Sequence, residues 1–204
     1  MEGFWEYNED FSCELTGEND RLNLHLSTLF LELQDVYTAI YIFRVVDDEW
    51  NRKVSEKAPP EYSTVRSIIY ESLVYRIILG LSKIFSDRNG YSLHKVINQI
   101  EQLYPNKKEI REVLIEIRKK LDTSKMVSII HTFRDKFFAH LDKESAFSYF
   151  RIDPTTAMAY IDSNEIDVWL TLISELYRAC FEKELPRKSQ MPSTKDIIHT
   201  FFWR

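Results

Sequence analysis

The chain has 204 residues, 44% of them apolar, and a formal net charge of −5. That length buries one good core and is short for two, and the negative balance excludes a protein held on nucleic acid by global attraction, so any RNA contact has to be local. Only four glycines, Gly3, Gly17, Gly80 and Gly90, are present, too few for a fold built on tight hairpins or phosphate-cradling loops, and an all-α fold is expected.

Residues 1–18 are acidic and aromatic without a period and are expected as an irregular N-terminal arm. Met1-Glu2-Gly3-Phe4-Trp5-Glu6 has no basic region followed by an apolar run and does not read as a secretory signal. From about Asp20 to Arg52, Leu22, Leu26, Leu29, Phe30, Leu33, Val36, Tyr37, Ile40 and Tyr41 recur at three and four residues, which predicts a long amphipathic helix. Pro59-Pro60 suits the opening of a second helix through Val65, Ile68, Ile69, Leu73, Ile77, Leu81, Ile84 and Phe85, closed by Asp87-Arg88-Asn89-Gly90. Being apolar on most sides, this helix is expected at the centre; Glu71, Arg76 and Lys83 interrupt it too often for a bilayer span, and no membrane is implied.

Leu93, Val96, Ile97, Ile100, Leu103 and Tyr104 form a third stripe ended by Pro105, and Asn106 with Glu109 resembles a capping box opening a fourth helix with Ile110, Val113, Leu114, Ile117 and Leu121 on one face. Thr123-Ser124 is a candidate cap for a fifth helix through Met126, Ile129, Ile130, Phe133 and Phe137. Residues 147–161, around Pro154, read as a short irregular or extended excursion. Asp162 and Glu165 then pair as cap and third residue of a last helix, with Ile166, Trp169, Leu170, Ile173, Leu176, Tyr177 and Cys180 on its face. The expectation is one domain over 19–184 with five to six helices, followed by a C-terminal tail, 185–204. Its Phe201-Phe202-Trp203 is too apolar to stand free in water. The two cysteines, Cys13 and Cys180, suggest neither a disulfide framework nor a zinc site and fit a reducing, cytoplasmic setting.

Ionisable groups crowd against large apolar side chains at one place, Arg134-Asp135-Lys136-Phe137-Phe138-Ala139-His140-Leu141-Asp142-Lys143; elsewhere the charges read as solvated faces. Metal-free RNA cleavage needs a base for the ribose 2′-proton, an acid for the leaving oxygen and a cation for the phosphate. Histidine and arginine carry those roles naturally, since imidazole titrates near neutrality and guanidinium stays charged and grips two oxygens at once. Six residues at about 100° each set His140 roughly 120° around a straight helix from Arg134, so one chain does not bring the pair together by helix geometry alone. His140 also continues the stripe of Phe133 and Phe137, where a buried, hydrogen-bonded histidine is the plain structural alternative.

An arginine, a polar residue directly after it and a histidine a few positions on is the pattern of the HEPN superfamily of helical ribonucleases. The wording Arg-Asp-Lys-x-x-Ala-His-x-Asp resembles its AbiU2-like branch, associated with phage abortive infection, and Leu79-Gly80-Leu81-Ser82-Lys83-Ile84-Phe85-Ser86-Asp87 is similar to that branch's preceding helix. The resemblance spans residues 20–183. It implies a HEPN-like bundle and a metal-independent endoribonuclease of toxin or abortive-infection type, in which Arg134 holds the scissile phosphate, His140 transfers protons and Asp135 orients one of them or the substrate. It also implies a homodimer whose two motifs line one cleft, a nucleotidyltransferase-like antitoxin as a possible partner, and no cofactor. Lys136 and Lys143 lie beside the motif and are candidates for flanking phosphates. In the best-known toxin branch a tyrosine follows the histidine by two residues; here that position is Asp142, and Tyr149 is not equivalent by spacing. His25, His94, His131 and His199 have no matching context. The alternative reading is a catalytically silent module binding RNA, a nucleotide or a protein partner, supported by the acidic balance; a third is a structural ion network of Arg134, Asp135 and Asp142.

Overall fold

The computed structural model describes residues 17–54, 60–86, 92–138, 158–185 and 192–202; it is an all-α bundle with seven helices and no strand among them. The first helix, α1 (Glu18–Val54), is about 55 Å long at 1.5 Å per residue. Leu22, Leu26, Leu29, Phe30, Leu33, Val36 and Ile40 are buried as their spacing predicts, and Phe43, Val46 and Trp50 extend the stripe. Four other helices pack on α1: α2 (Pro60–Phe85), α3 (Leu93–Leu103), α6 (Ser163–Phe181) and α7 (Thr194–Phe202). The centre of the bundle is therefore α1 rather than α2. Ile68 of α2 is 61% exposed, and α2 packs chiefly on α1, α3 and α5 (Lys125–Phe138).

A close α1–α2 approach falls at Gly80, within the Leu79-to-Asp87 segment. A Cβ at Gly80 would run into the Val36 side chain and stand 3.3 Å from Glu32 Oε1. Around this point Arg76 donates to Glu32 Oε1 at 2.9 Å and to Asp35 Oδ2 at 3.2 Å, and Lys83 Nζ lies 3.7 Å from the same Glu32 oxygen. On the other side of α1, Arg44 donates to Ser163 Oγ at 2.8 Å and Tyr177 to Asn23 Oδ1 at 2.9 Å, so α6 runs antiparallel to α1. Burial pushes the Tyr37 phenol of this seam above its ordinary range, and the carboxylate of Asp167 pushes the same way.

The predicted helix starts are realised unevenly. Asp162 caps α6 by accepting from Asn164 N at 2.9 Å. The box expected from Asn106 and Glu109 does not form: α4 (Lys108–Thr123) begins after Lys107 with no side-chain cap. Lys107 Nζ instead donates to the Ala179 carbonyl at 2.7 Å, meeting a free acceptor at the negative end of the α6 dipole. Trp169 of α6 is fully buried, its ring centred 5.0 Å from that of Phe85. Of the expected excursion, 147–157 lies outside the described residues; its end is a turn in which Ile161 N donates to Met158 O at 3.2 Å, and Ile161 is buried.

The tail supplies the seventh helix. Ser193 and Asp196 make the reciprocal bonds of a capping box, Asp196 N to Ser193 Oγ at 3.1 Å and Ser193 N to Asp196 Oδ2 at 3.3 Å. Ile197 is buried, and Thr194 Oγ1 is 2.7 Å from Tyr41 Oη. Phe201 and Phe202 close α7, and Trp203 lies outside the described residues, as do residues 1–16 of the arm. No described helix is long and apolar enough to cross a membrane.

Gly80→Ala is expected to destabilise the protein. Overpacking against the stiff Val36 costs about 1–3 kcal/mol and exceeds the helix-propensity gain of about 1 kcal/mol. Equilibrium denaturation of a double-mutant cycle measures this: in a Val36→Ala background, where room exists, the same substitution becomes neutral or stabilising.

Candidate functional site

Helix α5 carries the first part of the ionisable cluster, and its start is fixed by side chains from three elements. Ser124 Oγ accepts from Val127 N at 3.0 Å and donates to Glu165 Oε1 at 2.5 Å. Lys120 Nζ lies 3.2 Å from that same Glu165 oxygen. Glu165, expected to close the α6 cap, is drawn to Ser124 and Lys120, so one largely buried carboxylate ties together the end of α4 and the starts of α5 and α6.

From this anchor α5 buries Met126, Val127 and Ile130 and packs on α2. Arg134 follows Ile130 by four residues and Val127 by seven, about 40° and 20° away around a regular helix. Its position therefore shares the register of the buried face, close to the end of α5 at Phe138. Asp135 and Lys136 step about 100° and 200° further round, so the three consecutive charges take separate sides of the helix. His140 and Lys143 lie outside the described residues, as does Asp142.

A sequence model of the HEPN family described as AbiU2 matches residues 24–189, from the first turns of α1 to beyond α6, with the whole of α5 inside it. The chain belongs to the AbiU2 family of HEPN proteins. No curated protein and no solved structure matches it.

Within this AbiU2 chain the structure gives Gly80 a reason in the α1–α2 contact. It also corrects the reading of the remaining charges as solvated faces: Arg76 bridges Glu32 and Asp35, and the buried Glu49 receives Arg52 at 2.6 and 3.0 Å. Only the Glu49–Arg52 spacing, i and i+3, is legible locally. Of the histidines without motif context, His25 Nδ1 is 3.3 Å from Gln99 Oε1, a link from α1 to α3. Among the described residues no group of three or more His, Cys, Asp or Glu could hold a metal ion.

Removing the hydroxyl that starts α5 is expected to cost about 0.5–2 kcal/mol, the usual range for a lost cap. Ser124→Ala and Glu165→Ala, measured singly and together by urea denaturation, should show a coupling of about 0.5–3 kcal/mol. Strict additivity would mean that the two side chains act independently.

Proposed function

We propose that this AbiU2 protein is a metal-independent endoribonuclease, a toxin-type or abortive-infection effector that cuts RNA by attack of the ribose 2′-oxygen. One observation carries the reading. The family match encloses an arginine at core register beside the end of α5, followed six residues on by a histidine. Such a charge is well suited to a cleft that receives an anion.

In this mechanism a base removes the 2′-proton and the 2′-oxygen attacks phosphorus. The 5′-oxygen leaves with a proton from an acid, so the products are a 2′,3′-cyclic phosphate and a 5′-hydroxyl. His140 transfers the protons, Arg134 neutralises charge on the phosphate oxygens, and Asp135 orients one of them or the substrate. Lys136 and Lys143 meet flanking phosphates. Two chains related by a two-fold axis present two copies of the motif to one cleft, which removes the need for Arg134 and His140 of one chain to share a helix face. A nucleotidyltransferase-like antitoxin fits as restraint, although Asp142 leaves no tyrosine at the position modified in the best-known toxin branch. The net charge of −5 favours a second reading, a silent module that binds through the same surface.

Arg134→Ala and His140→Ala should each lower RNA cleavage by about two to four orders of magnitude while melting close to wild type. Chelators should leave the rate unchanged, and product analysis should find 2′,3′-cyclic ends. Binding without cleavage by the wild-type chain would favour the silent module. Early melting of both variants, with no cleavage by wild type with or without a partner, would make the motif a structural ion network.

A further inference from the structure

Between α3 and α4, away from α5 in sequence, lies an open groove of about 250 Å³ lined by Tyr104, Ile110, Arg111, Leu114, Ile115 and Arg118, with Glu101 at its edge. Ile110 and Leu114 are buried, whereas Ile115 is 58% exposed between Arg111 and Arg118, each about one turn from it on the same helix. The guanidinium of Arg111 makes no ion pair or hydrogen bond with any described residue. Arg118 is paired with Glu101 at 2.8 Å, both about half exposed. Such a solvated pair is worth about 0–1 kcal/mol, little enough for a second carboxylate to share the arginine.

The composition complementary to this groove is found in residues 1–16. They hold five carboxylates, Glu2, Glu6, Glu9, Asp10 and Glu14, with no lysine or arginine before Arg21, and four aromatic residues, Phe4, Trp5, Tyr7 and Phe11. They precede the family match, which begins at residue 24. They also join the described structure at the rim of the groove: Tyr104, which lines it, donates through its hydroxyl to Asn19 Oδ1 at 3.0 Å in the first turn of α1. Arg111 and Arg118 stand about 10 Å apart along α4, and the stretch from Phe4 to Gly17 can extend to about 40 Å at 3.3 Å per residue, so reach imposes no limit.

We propose that the N-terminal arm, residues 1–16, docks in the α3–α4 groove of its own chain, setting aromatic side chains against Ile115 and Tyr104 and carboxylates against Arg111 and Arg118. This does not depend on the ribonuclease reading. A tethered segment has an effective concentration of about 1 mM, so even a contact with a Kd of about 100 μM is about nine-tenths formed.

Paramagnetic relaxation in the full chain tests it. A nitroxide is attached at Gly3→Cys in a Cys13→Ser background. Cys180 is buried and burial pushes its thiol up to about 11, so labelling at neutral pH is confined to the arm. Amide peaks of Tyr104 and of residues 110–118 should lose more than about half their intensity, the loss expected from a contact that is mostly formed. Arg111→Glu combined with Ile115→Glu, both at exposed positions, should restore them while the rest of the spectrum stays in place. Unaffected groove peaks, or equal loss with and without those substitutions, would overturn the proposal. So would loss seen only when labelled and unlabelled chains are mixed, which would put the arm on a second copy. A short RNA oligonucleotide that shifts the groove peaks in a chain whose arm label leaves them untouched would overturn it in favour of a nucleic-acid surface.

Discussion

At Gly80 the backbone of α2 lies against the side chain of Val36, and a single added carbon would not fit. The charged clamp is set by that contact. Arg76, one turn earlier on α2, reaches Glu32 and Asp35, and Lys83, one turn later, reaches Glu32. At the end of α2, Phe85 meets Trp169 of α6, and α2 also packs on α5, the helix that brings Arg134 to its place. A core can be oily without being unique. Here a glycine against a β-branched residue fixes how α2 lies along α1, since sliding α2 by a turn would put a larger residue where Val36 stands.

Most of the helices were legible because a period of 3.6 is written locally. The stripes of α1, α3, α4 and α6 name most of the side chains that are buried there, and Asp162 and Ser124 mark starts that the structure uses. What stayed hidden depends on partners far away in sequence. Nothing near Arg76 says that two carboxylates about forty residues earlier will receive it. Glu165 carries the spacing of a capping box, but a hydroxyl and an ammonium from the preceding helices compete successfully for its oxygens. The start of α4 falls at Lys107, one residue after the expected Asn106, and the Lys107 side chain reaches a carbonyl seventy-two residues later. The placement of α1 at the centre also needs the whole bundle, since α2 looks the more apolar of the two when each is read alone.

The candidate site divides along the same line. That Arg134, Asp135 and Lys136 sit on a helix, and that the family is AbiU2, follows from residues within reach of one another in sequence. That Arg134 takes the register of Val127 and Ile130 is also implicit in the helical period. His140 and Lys143 lie outside the described residues, and their roles rest on the chemistry of the motif.

Helices α4 and α6 are fastened at both ends. Lys107 holds the Ala179 carbonyl and Lys120 holds Glu165. The two lysines stand about 20 Å apart along α4, and their two targets about 21 Å apart along α6. Matched spans with a fastening at each end make the pair a truss, in which neither helix can slide along the other without breaking an end contact. Ser124, directly after α4, shares the Glu165 joint with the start of α5. A displacement imposed on α5 from its far end is therefore borne by two helices as one stiff body, with Ser124 as the pivot.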